Sequence, residues 1–338
     1  GNGDAEDTIR LRIDDQLGHA VVTAQSQGSA VAAPGKLGSF DLDLAFSSLG
    51  LGQSAPGDFG IGKDHCGDRA GIEHCCPAGS HFGGNWKAGQ ENNTELLHFE
   101  AGERADVAMA RVDTAYEGVR IERALVLLKD APFQNPVVLD VLRVRSVGSH
   151  QYDLPLHFQG HVTNVSHATE AATTRLEPLG AENGYQHLWK RASAKVDEGD
   201  LFQLTFLNDN RFYTHSALAT SPMELLFTET GANDPDFNLR REQALIQRVR
   251  DAGTRVFVSV LESHGEYNGS REFTIASASS VADIKRAVRE DRELLRIISR
   301  GGAASTVALS FDADPSEKQS LSLGDEVYEW TGLFKLFD

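Results

Sequence analysis

Apolar and polar residues alternate along most of the chain, with a period of two far more often than the 3.6 residues of a helix. In FDLDLAF (residues 40–46), apolar side chains alternate with aspartates. In RVFVSVLES (residues 255–263), Val256, Val258 and Val260 occupy every second position. Because successive side chains of a strand point to opposite faces, both segments predict half-buried β-strands.

Further strand-like segments follow the same rule and are bounded by Gly, Pro, Asn and Asp clusters. They are VVLDVLRVRS (137–146), YDLPLHFQGHV (152–162), LFQLTFLND (201–209) and STVALSFDAD (305–314). The sequence shows neither regular alternation of helices with strands nor a repeat of fixed length. The pattern therefore predicts an all-β fold, a large antiparallel β-sandwich with short helical pieces.

One segment fits this pattern less well. VADIKRAVREDRELLRIISR (281–300) follows two serines that can cap a helix, and its first half is rich in helix-forming residues. We expect a short helix over residues 282–288 and a strand over residues 294–298.

Composition bounds the size and organisation of the chain. With 338 residues, 40% of them hydrophobic, and a mean hydropathy of -0.32, the chain can bury a sizeable core in water. No apolar run approaches the ~20 residues that cross a membrane, so we expect no membrane-spanning segment. Residues 1–36 are rich in Gln, Ser, Gly and Ala and predict a lead-in or linker, with one continuous domain over residues 37–338.

The charge of the chain restricts its partners. A formal net charge of -17 disfavours non-specific binding to nucleic acids, because two polyanions repel. It also means that an acidic substrate would require a local basic pocket. The N-terminal residues show no basic segment followed by an apolar one, so no signal peptide is visible in the sequence.

Several motifs occur in an order that is typical of one enzyme family. They are YEGVRIERALVLLKD (116–130), HQYDLPLHFQGHV (150–162), YQHLWKRASAKVDEGDLFQLTFLNDNRFYTHS (185–216), GANDPDFNLRREQALI (231–246), VFVSVLESHG (256–265) and YEWTG (328–332). From about residue 38 onward, the chain resembles the C-terminal half of the heparinase II/III-like polysaccharide lyases, above all the oligoalginate lyase branch. An ordered set of this length is far more specific than any single motif.

The resemblance implies a β-sandwich domain that normally follows an N-terminal α/α toroid, with the active-site cleft between the two. We expect that toroid to be absent from this chain and to be its partner as a domain or a separate chain. The implied function is that of the sandwich portion of a lyase that cleaves alginate-like uronic acid oligomers or polymers by β-elimination, without an organic cofactor. The alternative is a non-catalytic carbohydrate-binding or structural sandwich derived from that family. The implied location is periplasmic or secreted.

The resemblance also implies a zinc ion held by two histidines and an aspartate. Ser39 stands where the first histidine is expected, whereas Asp58 and His74 match the other two ligands. We therefore expect Asp58 and His74 to lie close together on the cleft-facing side, with zinc bound weakly or replaced by water. The family's proton-shuttling tyrosine has no counterpart, because no tyrosine precedes Tyr116, and His74 and His81 are the remaining catalytic candidates.

All three cysteines lie in DHCGDRAGIEHCCPAGSHFGGNW (64–86). Three interpretations stay open: a cysteine-rich zinc centre, a disulfide from Cys66 to Cys75 or Cys76, or a surface loop with free thiols. The paired spacing of a zinc ribbon is absent, because Cys75 and Cys76 are adjacent. We predict that the cysteines are not the primary ligands of a metal, since thiolates would reduce the positive field that an anionic substrate needs.

Candidates for substrate binding are Arg240, Trp86 and Asn233. A guanidinium fork suits a uronate carboxylate, although Arg240 and Arg241 can equally stabilise the turn around Asn-Asp-Pro (233–235). Trp86, like Trp189 and Trp330, can stack on a sugar ring or pack in the core. The histidines at positions 150, 157, 161 and 167 form a dense run, in which structural roles are common.

Overall fold

The structure is a computed structural model that describes residues 8–14, 19–25, 40–41, 94–116, 118–129, 132–181, 185–229 and 242–337. Its strands are β1 (Thr8–Asp14), β2 (His19–Gln25), β3 (Phe40–Asp41), β4 (Glu95–Ala101), β5 (Ala105–Tyr116), β6 (Val119–Leu128), β7 (Val137–Ser146), β8 (His150–Phe158), β9 (His161–Val165), β10 (Glu170–Ala171), β11 (Glu177–Pro178), β12 (Trp189–Val196), β13 (Leu201–Asn208), β14 (Arg211–Leu218), β15 (Met223–Glu229), β16 (Gln243–Ala252), β17 (Arg255–Asn268), β18 (Phe273–Ile275), β19 (Val281–Arg289), β20 (Arg292–Ser299), β21 (Ala304–Ser310), β22 (Gln319–Leu323), β23 (Glu326–Trp330) and β24 (Phe334–Phe337).

The strands of the described segments form two large antiparallel sheets and three smaller ones. The nine-stranded sheet has the order β4-β5-β6-β7-β17-β14-β13-β9, with β18 paired to β17. The six-stranded sheet has the order β10-β12-β15-β16-β8, with β11 paired to β12. Four strands, β19-β20-β21-β24, form a third sheet, and β22 and β23 form a hairpin. A separate three-stranded sheet has the order β2-β1-β3.

The two large sheets pack face to face. Their shared core contains alternate residues of strands from both sheets, such as Phe202 and Leu204 of the nine-stranded sheet and Leu225 and Leu245 of the six-stranded sheet, all with 0% exposure. Interdigitation of inward-facing side chains from two sheets is the defining feature of a β-sandwich. The predicted all-β antiparallel sandwich is confirmed.

A second core lies on the opposite face of the nine-stranded sheet. There Val126, Leu139 and Val260 pack against residues of the four-stranded sheet, including Leu295 and Val307. The nine-stranded sheet is therefore the middle layer of three. Its strand β6 is buried at nearly every position, as expected for a strand that is covered on both faces.

The described strands agree with the alternation in the sequence. The segment predicted at residues 137–146 is β7, and the segments predicted at 201–209 and 305–314 coincide with β13 and β21 within one to four residues at their ends. In β17, Val258 and Val260 are buried in the second core and Val256 packs against it, so the three valines share one face as predicted. Of the segment predicted at 40–46, the structure describes only β3.

The predicted helix over residues 282–288 is wrong, because this segment is strand β19, paired with β20. The strand predicted over residues 294–298 is confirmed as part of β20. The register of β19 shifts between Val281 and Asp283, which indicates a β-bulge. This bulge places the buried residues Val281 and Ile284 three positions apart, a spacing that imitates a helix.

Helical structure in the described residues is limited to a three-residue 3-10 helix, Tyr185–His187, which agrees with the expectation of short helical pieces. Within the same residues, no helix has the length and apolar character required to span a membrane. Strands β1 and β2 lie within residues 1–36, where the sequence predicts a lead-in or linker. The domain boundary at residue 36 stays a prediction.

Candidate functional site

A tight hairpin joins β13 to β14 at one end of the nine-stranded sheet. Asn208 and Arg211 are cross-strand partners, and only Asp209 and Asn210 lie between them. Asp209 has a φ of 51°, in the left-handed region that Asp and Asn adopt more readily than most residues. The short polar sequence Asp-Asn therefore accommodates the two-residue turn that the hairpin requires.

A β-bulge in the neighbouring strand β17 brings a carboxylate opposite this turn. Phe212 pairs with His264, but Arg211 pairs with Glu266, so Gly265 is the additional residue in β17. Gly265 has a φ of 53°, and a Cβ atom there would lie 2.2 Å from the carbonyl oxygen of Ala276. Only glycine fits this position without strain. The bulge turns Glu266 to the face that carries Arg211.

These elements line a cavity of about 230 Å³ that is open to solvent. It is lined by Asn208, Asp209, Asn210, Arg211, Tyr213 and Glu266. Arg211 is half-buried, whereas the two carboxylates are on exposed residues. The guanidinium of Arg211 forms no hydrogen bond or ion pair with any residue that the structure describes. The cavity therefore combines an unpaired cation with amide groups and a phenol.

Aromatic packing fixes one wall of this cavity. The ring of Tyr213 stacks on that of its cross-strand partner Phe206, with 5.4 Å between centroids and an interplanar angle of 14°. The ring of Phe206 is in turn 4.7 Å from that of Phe158 in the six-stranded sheet. Because both phenylalanines are buried in the sandwich core, Tyr213 is attached to a rigid support.

The connection between β15 and β16 begins and ends near this part of the molecule. The side-chain amide of Gln243, the first residue of β16, donates to the carbonyl oxygen of Gly160, 2.9 Å away. Gly160 immediately precedes β9, which pairs with the end of β13 through Leu207 and His161. Asn233 and Arg240, both predicted to bind substrate, belong to this connection and lie outside the described residues.

The other predicted site residues also lie outside the described residues. They are Ser39, Asp58, His74, His81 and Trp86, together with Cys66, Cys75 and Cys76. Their predicted roles, and the proximity of Asp58 to His74, stay predictions. Within the described part of the chain, no three His, Cys, Asp or Glu side chains are grouped in a way that could hold a metal ion.

The remaining histidine and tryptophan candidates have different environments. Trp330 is buried in a small core, and its indole N–H donates to the hydroxyl of Ser310, so its role is packing. Trp189 is half-buried, and its indole nitrogen has no hydrogen-bond partner among the described residues. Burial lowers the pKa of His157, although the nearby Glu242 opposes the shift. His161 is exposed on β9.

A polar group inside the sandwich was not anticipated from the sequence. Arg123 forms two hydrogen bonds with Asp140, at 2.9 and 2.6 Å. On the same face, the side-chain amide of Gln247 donates to Nε2 of His215 over 3.3 Å. Burial lowers the pKa of His215 to about 4, so its imidazole is neutral at pH 7. Because these four side chains lie between the two large sheets, we assign them a structural role.

A second polar chain lies on the opposite face of the nine-stranded sheet. Nδ1 of His264 donates to the carbonyl oxygen of Ala276 at 2.9 Å, so its Nε2 accepts from the hydroxyl of Thr214 at 2.8 Å. The hydroxyl of Thr205 is in turn 2.8 Å from that of Thr214. This chain of buried hydrogen bonds attaches the segment before β19 to the sheet.

A network of charged side chains lies at the end of the nine-stranded sheet opposite the β13–β14 turn, near the start of β6 and the end of β7. Arg145 lies 3.1 Å from Glu122 and 3.2 Å from Asp312, and Arg111 lies 3.0 Å from Asp312. Burial raises the pKa of Glu122 and lowers that of Arg143. The arginines of this network are already paired with carboxylates, so they are less suited to bind an anionic ligand than the unpaired arginine of the hairpin cavity.

The signal for the hairpin cavity in the sequence is weak. The segment TFLNDNRFY (205–213) contains a short polar turn and one arginine within an acidic chain, but nothing in the sequence shows that the arginine lacks a partner. The surroundings of Arg211 depend on the three-dimensional pairing of β14 with β17, which the sequence does not show.

Sequence comparison identifies two curated relatives. The chain is 38% identical over 253 residues to an alginate lyase of Stenotrophomonas maltophilia, covering 75% of this chain and 34% of that protein. It is 35% identical over 256 residues to an exo-oligoalginate lyase of Saccharophagus degradans, covering 75% of this chain and 35% of that protein. The chain thus spans about one third of the length of each relative. No protein-family model matches it.

Structural comparison gives weaker similarities. A heparinase III has a TM-score of 0.43 and 8% identity, covering 65% of this chain and 28% of that one. A mutant heparan sulfate lyase from Pedobacter heparinus has a TM-score of 0.38 and 12% identity, covering 64% of this chain and 28% of that one. Such TM-scores define neither fold nor function. The sequence relatives confirm the resemblance predicted from the motifs: over three quarters of its length, this chain is similar to about one third of an alginate lyase and of an exo-oligoalginate lyase.

Proposed function

We propose that this chain is part of a polysaccharide lyase that cleaves alginate-like oligomers or polymers of uronic acid by β-elimination. The observation that carries the proposal is the 35–38% identity, over three quarters of the chain, to an alginate lyase and an exo-oligoalginate lyase. The antiparallel sandwich agrees with the fold that the resemblance implies.

The proposed reaction makes three demands on the enzyme. A base must remove the proton on C5 of the uronate, and the negative charge that spreads onto the carboxylate must be stabilised. As the C4–O bond breaks and the C4–C5 double bond forms, an acid must protonate the leaving glycosidic oxygen. His74 and His81 are the candidates in this chain for proton transfer, and Arg240, Trp86 and Asn233 are the candidates for substrate binding.

The zinc ion implied by the resemblance fits this chain incompletely. Catalytic zinc is held by about three protein ligands, usually imidazoles and carboxylates. Asp58 and His74 supply two groups of the right chemistry, but the hydroxyl of Ser39 is a poor substitute for a third. We therefore assign the ion no step in the reaction. When bound, it would supply a positive charge at the wall of the cleft.

The proposed partner is an α/α toroid domain or chain that forms the facing wall of the cleft. The chain matches only about one third of each relative, which leaves ample length in those proteins for a further domain. The proposed location is periplasmic or secreted, where polymeric uronates are accessible.

β-Elimination leaves a conjugated double bond in the product, so ultraviolet absorbance provides a direct assay. The chain should be incubated with alginate, alone and together with any toroid domain of its parent protein. We expect absorbance to rise with wild-type protein and to be lost with His74→Ala. His98→Gln is the matched control, because His98 lies on the edge strand β4 and is not a candidate for proton transfer or substrate binding. Alginate, heparin-like and hyaluronan substrates that all remain uncleaved would refute the proposal.

A non-catalytic carbohydrate-binding sandwich is the alternative. Ser39 in place of a histidine, and the absence of tyrosine before Tyr116, favour it. Binding of alginate oligosaccharides without any product absorbance, in the presence of the toroid domain, would support this alternative.

A further inference from the structure

We propose that the cavity at the β13–β14 turn is a subsite for one uronate unit of an acidic oligosaccharide, with the guanidinium of Arg211 binding its carboxylate. The inference rests on the proposed function for the class of ligand, but it assigns a separate group of residues. None of these residues was among the candidates from the sequence.

The guanidinium of Arg211 is partly buried and has no partner among the described residues, which favours the binding of an anion. The formal net charge of the chain is -17, and many of its arginines are paired with carboxylates, as in the network around Asp312. Arg211 is half-buried, yet no described residue pairs with it, not even its cross-strand neighbour Glu266. A partly desolvated cation without a partner gains free energy when an anion binds. Its planar fork suits a carboxylate, which can accept two parallel hydrogen bonds.

The other lining groups suit the rest of a sugar ring. The side-chain amides of Asn208 and Asn210 provide donors and acceptors for hydroxyl groups. Tyr213 contributes an aromatic wall that is fixed by its stacking on Phe206. The volume of about 230 Å³ is below the roughly 300–1,000 Å³ of pockets that enclose drug-sized molecules, which favours a single ring of a longer chain.

Two carboxylates at the cavity also need an explanation. Asp209 and Glu266 are exposed, so water and salt screen their repulsion of an anion more strongly than they screen the half-buried Arg211. The carboxylates alone would favour a divalent cation. The guanidinium of Arg211 in the same cavity opposes a cation, and we therefore assign the cavity to an anionic sugar.

Calorimetric titration with two matched ligands tests the subsite. One ligand is an alginate tetrasaccharide, and the other is the same tetrasaccharide with its carboxylates reduced to alcohols. The variants are Arg211→Gln, which removes the charge, and Arg211→Lys, which keeps the charge but removes the fork. The control is Arg289→Gln, because Arg289 is an exposed arginine at the end of β19 in another sheet. Melting temperatures verify that each variant is folded.

For the uronate ligand, we expect Arg211→Gln to weaken binding by at least about tenfold, with Arg211→Lys intermediate and Arg289→Gln unchanged. The reduced ligand should bind wild-type protein as weakly as the uronate binds Arg211→Gln. Equal affinity of wild type and Arg211→Gln for the uronate would overturn the subsite, as would wild-type protein that binds calcium but no uronate. If alginate cleavage is intact in that case, only the subsite fails. If cleavage is also absent, the proposed function fails as well.

Discussion

The buried ion pair between Arg248 and Asp153 provides a sharp test of how the outer face of the six-stranded sheet is held together. Arg248 donates two hydrogen bonds to Asp153, at 2.8 and 2.7 Å, and the hydroxyl of Tyr185 donates a third. The side chains of Arg248 and Asp153 are only 9% and 1% exposed. The guanidinium also lies 5.6 Å from the ring centroid of Tyr185, which the 3-10 helix positions.

Asp153→Ala removes the acceptor of these three hydrogen bonds and of a fourth, from the side-chain amide of Gln151 at 3.2 Å, and leaves the charge of Arg248 buried without its partner. Breaking a buried pair in this way costs about 3–5 kcal/mol. We therefore expect the free energy of unfolding to fall by about that amount. Equilibrium unfolding in urea, followed by circular dichroism, measures the change.

Arg250→Ala is the matched control, since Arg250 lies two residues further along β16 and pairs with Glu224 at 3.3 Å on the surface. Exposed pairs contribute about 0–1 kcal/mol. A double variant, Asp153→Leu with Arg248→Met, should be more stable than Asp153→Ala, because no unpaired charge remains. The reasoning is wrong if Asp153→Ala costs no more than Arg250→Ala, or if the double variant is as unstable as Asp153→Ala.

Three further predictions concern the nine-stranded sheet. Burial lowers the pKa of His215 from about 6.5 in the unfolded chain to about 4 in the folded protein. Its contribution to stability is therefore full above about pH 6.5 and is lost as the pH falls towards 4. Relative to His215→Gln, wild-type protein should lose about 3 kcal/mol over that range in urea titrations, and parallel pH profiles would contradict this. Gly265→Ala should lower the free energy of unfolding by more than about 2 kcal/mol, because the alanine Cβ would meet backbone carbonyl oxygens and the position has a positive φ. A decrease of less than about 0.5 kcal/mol would exclude the bulge. Thr214→Val should cost about 1–3 kcal/mol by leaving Nε2 of His264 without a donor, and thermal unfolding that matches wild type would refute the proposed hydrogen-bond chain.

The period-two pattern was sufficient to predict most of the fold, because the alternation of apolar and polar residues within one strand shows which of its faces is buried. β7 and β17 illustrate this, since their apolar positions are visible in the sequence without knowledge of their partners. The same rule failed at β19, where a bulge disrupted the alternation and the helix-forming residues suggested the wrong element. Pairing with β20 overrode local propensity there.

The hairpin cavity was harder to predict, because its chemistry depends on contacts between distant segments. Whether Arg211 is paired, and which way Glu266 points, is decided by the register between β14 and β17. Resemblance to a family supplied different candidates, such as Asp58, His74 and Arg240, and these lie outside the described residues. The structure and the family resemblance therefore place candidate site residues in different parts of the chain.

The position of β17 in the middle layer has a consequence for folding kinetics. β4 to β7 are neighbours both in sequence and in the sheet, so they can pair as soon as they are synthesised. β17 then pairs with β7, joining Val137 to Glu262 across a large part of the chain. Closing so long a loop is slow, and until it closes β7 has an unpaired apolar edge. We therefore expect slow folding, with aggregation most severe when synthesis is interrupted between β7 and β17.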